Sequence, residues 1–135
     1  MRILLFLICS SIIFPSHFIK ANQHTTNPEN DVTIVLHTTK EDLSKDNQTL
    51  IFEFHANFSE EEFKKWEKNL SNDKYVKKVV SNTKDTFKLI TISLNTPLTR
   101  AVAKELFSFS IKATYVVFEE EKMLFNVFVS KHISQ

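Results

Sequence analysis

The sequence predicts an α+β sandwich in which two helices cover one face of an antiparallel sheet. Three observations predict it. Strand-like segments and two helical segments follow one another in the order β-α-β-β-α-β from Thr49 to Phe118. Each helical segment opens on a capping signal. Of the 13 Phe, ten follow residue 21, enough large aromatic area to build a core in one small domain.

The elements can be justified in order. Met1-Arg2, the apolar run Ile3 to Phe14 and the small residue Ala21 have the layout of a secretory signal peptide, residues 1–21, cleaved near Ala21. The run is shorter than the ~20 apolar residues of a spanning helix. An exported protein, periplasmic or extracellular, is therefore expected, with no membrane attachment after cleavage. Residues 22–31 contain no apolar side chain and read as a flexible leader. One domain, residues 32–131, follows.

Val32 to His37 is a short β-branched strand, and Thr38 to Gln48 is a polar connection with one helical turn near Lys40 to Leu43. Thr49 to Phe54 is the next strand. Ser59 with Glu62 three residues on forms a capping box, and Phe58 and Phe63 stand where a hydrophobic staple needs them. Glu60 and Glu61 suit the positive end of the helix, each four residues before Lys64 or Lys65. Phe63, Trp66 and Leu70 share one face, so the helix spans about Glu60 to Leu70.

Tyr75 to Asn82 and Thr86 to Leu94 form a hairpin; Ile90, Ile92 and Leu94 alternate with Leu89, Thr91 and Ser93. Thr96-Pro97 opens the second helix, whose apolar stripe is Leu98, Val102, Leu106 and Phe109. Thr114 to Phe118 and Met123 to Val129 then pair around the acidic turn Glu119 to Lys122. The core of this order is the split βαβ, or ferredoxin-like, arrangement, with one extra strand before and one after. The terminal strand is expected beside Tyr115 to Phe118; the partner of the first is not specified by pattern.

Composition excludes several chemistries. Beyond residue 21 the chain carries 15 basic and 16 acidic residues, a balance that gives no attraction to nucleic acid or to an anionic membrane. The one cysteine, Cys9, falls inside the apolar run, so the cleaved protein has no disulfide, thiol nucleophile or thiolate metal site. There is no glycine, which excludes glycine-dependent phosphate loops, the dinucleotide fingerprint and the nucleophile elbow. No catalytic motif is present and no cofactor is expected; the protein is read as a non-enzyme.

Residues 50–118 resemble the heavy-metal-associated domains of copper chaperones and metal-pumping ATPases. The resemblance rests on the element order, on Asp73-Lys-Tyr-Val-Lys-Lys-Val-Val-Ser-Asn82 and on Phe109-Ser-Ile-Lys-Ala-Thr-Tyr115, with Ser110 where that family usually has glycine. It implies the ferredoxin-like fold. The family's Met-x-Cys-x-x-Cys loop is here His55-Ala-Asn-Phe-Ser-Glu60, with Asn57 and Glu60 near the cysteine positions. Neither residue replaces a thiolate toward a soft metal.

Two functional readings follow. The first is a binding module that engages a protein partner through its sheet face, or through an edge strand that could also form a homodimer. Tyr115, Phe125 and Phe128 are its interface candidates. The second is a metal-binding protein in which His37 and His55, each following a strand, meet with Glu53 or Glu60. Three sequons, Asn47-Gln-Thr49, Asn57-Phe-Ser59 and Asn69-Leu-Ser71, are consistent with a composition rich in Asn and Ser.

Overall fold

The computed structural model describes residues 30–44 and 46–135; the expected signal peptide and all but the last two leader residues lie outside them. The elements are β1 (Thr33–Leu36), α1 (Lys40–Ser44), β2 (Thr49–His55), α2 (Glu60–Ser71), β3 (Val76–Thr83), β4 (Lys88–Leu94), α3 (Arg100–Glu105), a π-helical turn (Leu106–Ser110), β5 (Tyr115–Phe118), β6 (Glu121–Leu124) and α4 (Phe125–His132). The fold is α+β, with helices packed on a six-stranded sheet of order β3-β4-β2-β1-β5-β6.

The sheet is mixed rather than antiparallel. β4 lies between β2 and β3, antiparallel to both, as expected. β1 then inserts between β2 and β5, antiparallel to the first and parallel to the second. Its alternation explains the fit: Ile34 and Leu36 point to the core with Phe52 and Phe54 of β2 and Val116 of β5. β6 pairs with β5. The buried strand residues Ile34, Leu50, Phe52, Ile90, Ile92, Val116 and Met123 share the face that receives the helices.

α2 forms as its sequence dictates. Ser59 Oγ accepts from Glu62 N at 3.2 Å, and Glu62 Oε2 accepts from Ser59 N at 2.7 Å. That hydrogen bond holds the Glu62 carboxyl below its ordinary range. Phe54 completes the aromatic cluster at the helix start, its ring 5.5 Å from Phe58, 5.7 Å from Phe63 and 4.2 Å from Trp66. Trp66 is buried, and its indole N–H donates to the Ile111 carbonyl at 2.8 Å.

The second helical segment departs from expectation twice. Its cap is Thr99, whose hydroxyl accepts from Val102 N, so Thr96 and Pro97 precede the helix. The last turn then widens into the π geometry at Leu106–Ser110. Widening advances the phase of the helix, so Phe107 and Ile111 turn inward and Phe109 is left 75% exposed. The turn ends with Lys112 at φ 56°, a left-handed position usually given to glycine.

The segment Met123 to Val129 is not one strand. It pairs only as far as Leu124 and then turns into α4. Phe128, Val129 and Ile133 are buried, a helical spacing that outweighs the β propensity of Phe-Asn-Val-Phe-Val. Phe128 packs 5.9 Å from Phe107 and 5.4 Å from Phe118. Arg100 anchors the far end of α4: its guanidinium donates to the carbonyls of Ser130 and Ile133 at 3.1–3.2 Å.

In a chain without glycine, the two-residue β5–β6 turn must place Glu119 and Glu120 at φ 49° and 68°. Two positive-φ residues match the right-handed twist of a hairpin but crowd each Cβ. We expect Glu119→Asn with Glu120→Gly to stabilise the protein by about 1 kcal/mol, or roughly 4–8 °C in Tm, measured by thermal unfolding. Trp66→Phe should cost about 2 kcal/mol in urea unfolding, because the Ile111 carbonyl loses its buried donor.

Candidate functional site

Strand alternation places a second set of side chains on the face turned away from α2, α3 and α4. Across it, Asn82, Leu89, Glu53, Val35, Val117 and Lys122 stand in register from β3 to β6. A neighbouring row runs Val80, Thr91 and Ile51. Another runs His55, Thr33, Tyr115 and Leu124. Ile51 at 39%, Val80 at 38% and Leu124 at 48% are exposed apolar residues of this face.

Near its middle lies a polar cluster. His37, just past β1, and His55, at the end of β2, both reach Glu53. His37 Nε2 is 2.9 Å from Glu53 Oε1, and His55 Nε2 is 2.8 Å from Glu53 Oε2. A carboxylate only accepts, so both Nε2 atoms donate and each neutral ring keeps Nδ1 as an acceptor. Phe87 flanks the His55 ring at 5.4 Å between centroids. The hydrogen bond from His55, joined by that from His37, holds the Glu53 carboxyl below its ordinary value of 4.5, against the opposing effect of partial burial.

The structure thus brings together three of the four expected metal candidates. Glu60 is elsewhere, its carboxylate 3.0 Å from Lys88 Nζ beside the Phe63 ring. The two histidines occupy opposite oxygens of one carboxylate instead of converging on a common point. Among the described residues, no group of three or more His, Cys, Asp or Glu is arranged to hold a metal ion.

The interface candidates separate. Tyr115 lies on the open face, half-buried, with Lys122 Nζ 4.4 Å from its ring centroid. Phe125 is half-buried against the core. Phe128 is fully buried on the inward side of α4 and offers no surface, which corrects the interface expectation made for a strand there. Sequence reasoning missed Ile51, Val80 and Phe87. The alternation of β2 could have shown that Ile51, Glu53 and His55 share a face.

A cleft of about 220 Å³ opens at the start of α2, between Phe58, Phe63, Phe87 and the β3–β4 turn. It is smaller than the ~300–1,000 Å³ of ordinary small-molecule sites. No protein-family model, curated protein or solved structure matches this chain.

The sign of the Glu53 effect sets a prediction. A carboxyl held below its ordinary value stabilises the fold fully above pH 4.5, and that contribution is lost as pH falls toward the folded-state value. Glu53→Gln should therefore lower the urea midpoint at pH 7, and the two midpoints should converge as pH falls below 4.5. Urea titrations at a series of pH values check this.

Proposed function

We propose that this chain is an exported, non-catalytic binding module that engages a protein partner through the sheet face turned away from its helices. The supporting observation is the row structure of that face: exposed Ile51, Val80 and Leu124 among half-buried Val35, Leu89, Tyr115 and Val117, around the His37–Glu53–His55 cluster. Apolar side chains grouped about a few oriented polar ones are the composition of a recognition surface.

Magnitude limits the kind of interface. Six strands at ~4.8 Å spacing and about 20 Å of strand length give roughly 500 Å² of projected face. A standard interface buries about 800 Å² per partner. The partner therefore either binds transiently or wraps onto the rim, where Lys78 and Lys122 are exposed.

The face is favoured over the edges. β3 presents Lys77 and Lys78 and an irregular register between Val76 and Lys78, both devices that discourage strand addition. At the other edge, β6 is four residues long and ends in α4. In architecture we read β2-α2-β3-β4-α3-β5 as a ferredoxin-like unit opened by insertion of β1. The likeness to heavy-metal-associated domains then concerns the scaffold, with a partner surface in place of the thiolate loop.

The test is a crosslinking pull-down from the exported fraction with residues 22–135 as bait. A stoichiometric partner should be retained by a helix-side variant, Glu61→Lys, and lost by Ile51→Lys with Val80→Lys. Equal capture by both variants, each folded by circular dichroism, would sink the proposed face.

A further inference from the structure

On the opposite side of the sheet, α4 carries a titratable group that its surroundings do not satisfy. His132 lies in the last turn of α4, its ring 4.8 Å from Phe118 of β5 and 5.5 Å from Phe128. Its Nε2 is buried and has no hydrogen-bond partner among the described residues. A neutral imidazole tolerates this site at modest cost. A cationic one there would hold a buried N–H donor against two aromatic rings, which receive it far more weakly than an oxygen acceptor would.

We propose that His132 is an acid-sensitive latch: proton uptake at Nε2 releases α4 from the sheet and uncovers Phe118 and Phe128. This goes beyond the binding reading and does not depend on it.

The geometry makes α4 the element that gives way. Eight residues are too few to hold a helix in water, so α4 depends on the burial of Phe128, Val129 and Ile133 and on external bonds. Those bonds include the Arg100 guanidinium to the Ser130 and Ile133 carbonyls, Phe125 N to the Thr114 carbonyl at 3.2 Å, and Lys131 Nζ to Glu121 at 3.1 Å. None of them strengthens on acidification.

The charged groups facing His132 are Lys131 on its own helix, Lys40 on α1, Glu119 in the β5–β6 turn and Glu121 on β6. Two cations oppose two carboxylates, so burial decides. Burial pushes the imidazole below its ordinary value of 6.5, with Lys131 and Lys40 acting the same way and Glu119 and Glu121 against. The docked state therefore binds fewer protons than the released one. Docking is strongest above pH 6.5, weakens as pH falls below it, and levels off once docked His132 itself is protonated.

Native-state hydrogen exchange on residues 22–135 tests the latch at pH 7.5 and 5.0, with rates corrected for intrinsic chemistry. In the wild type, α4 amides should lose protection by up to about tenfold per pH unit below ~6.5, while β2 and β4 amides hold. His132→Phe should keep α4 protected at both pH values, and His37→Gln with His55→Gln should retain the acid loss. Equal acid loss in His132→Phe and wild type, or joint loss across α4 and the sheet, would overturn the proposal. If His132→Phe fails to fold, the NMR titration of the His132 ring in the wild type decides. A midpoint below 6.5 supports the latch, and one at or above it refutes it.

Discussion

Backbone pairing of Thr33–Leu36 on both of its sides is the constraint on which the rest of the sheet depends. β3, β4 and β2 form one antiparallel group, β5 and β6 another, and β1 joins them through β2 on one side and β5 on the other. Ile34 is fully buried at this junction, opposite Phe54 on one side and Val116 on the other. The join is reinforced where β1 begins: the Val32 carbonyl accepts from Thr114 N at 2.8 Å and from Tyr115 N at 3.1 Å. Below residue 21 lies the only cysteine, so no covalent link supplements these contacts in a cleaved chain. Cooperativity between the two halves must pass through four residues and the helices packed behind them.

The absence of glycine shapes the second half of the molecule. Lys112, Glu119 and Glu120 all adopt positive φ, each where another chain would place glycine or asparagine. The π turn is a related accommodation: it brings Phe107 and Ile111 inward together and presents the Ile111 carbonyl to the Trp66 indole. The strain of Lys112 thus sits next to one of the few hydrogen bonds that tie α2 to the later elements. The Ser110 hydroxyl, bonded to the Asp73 carboxylate just past α2, ties the same turn to the chain that leaves that helix.

Local signals were legible in the sequence where the physics is local. The Ser59–Glu62 capping box, the Phe63-Trp66-Leu70 face and the alternation through Ile90, Ile92 and Leu94 depend on neighbours within one turn or one strand, and all are present as expected. The insertion of β1 was not legible, because register between Thr33 and Tyr115 is a contact 82 residues apart that no window contains. Phe125 to Val129 favours a strand by propensity, and a helix forms instead because it seats Phe128 against Phe107 and Phe118. A period of 3.6 puts Phe109 in the core, and the π turn breaks that period. Of the site, the two histidines are legible from their places at strand ends, and Glu53, like Glu60, only as a carboxylate within reach. Their union through opposite carboxylate oxygens required the β1–β2 register.

The position of that cluster constrains any partner of the open face. Covering it takes a charged carboxylate and two imidazoles out of water, at a cost of several kcal/mol unless their remaining hydrogen-bonding capacity is met. Each Glu53 oxygen accepts one hydrogen bond, and the Nδ1 atoms of His37 and His55 have no bond among the described residues, so these nitrogens are among the groups a partner must meet. With neutral rings these nitrogens accept, and the complementary partner presents donors. With protonated rings they donate, and the complementary partner presents carboxylates. The apolar rows through Ile51 and Val80 supply attraction without choosing between partners, because burial is non-directional. For a partner on the proposed face, discrimination would therefore rest on His37, Glu53 and His55 rather than on the apolar rows.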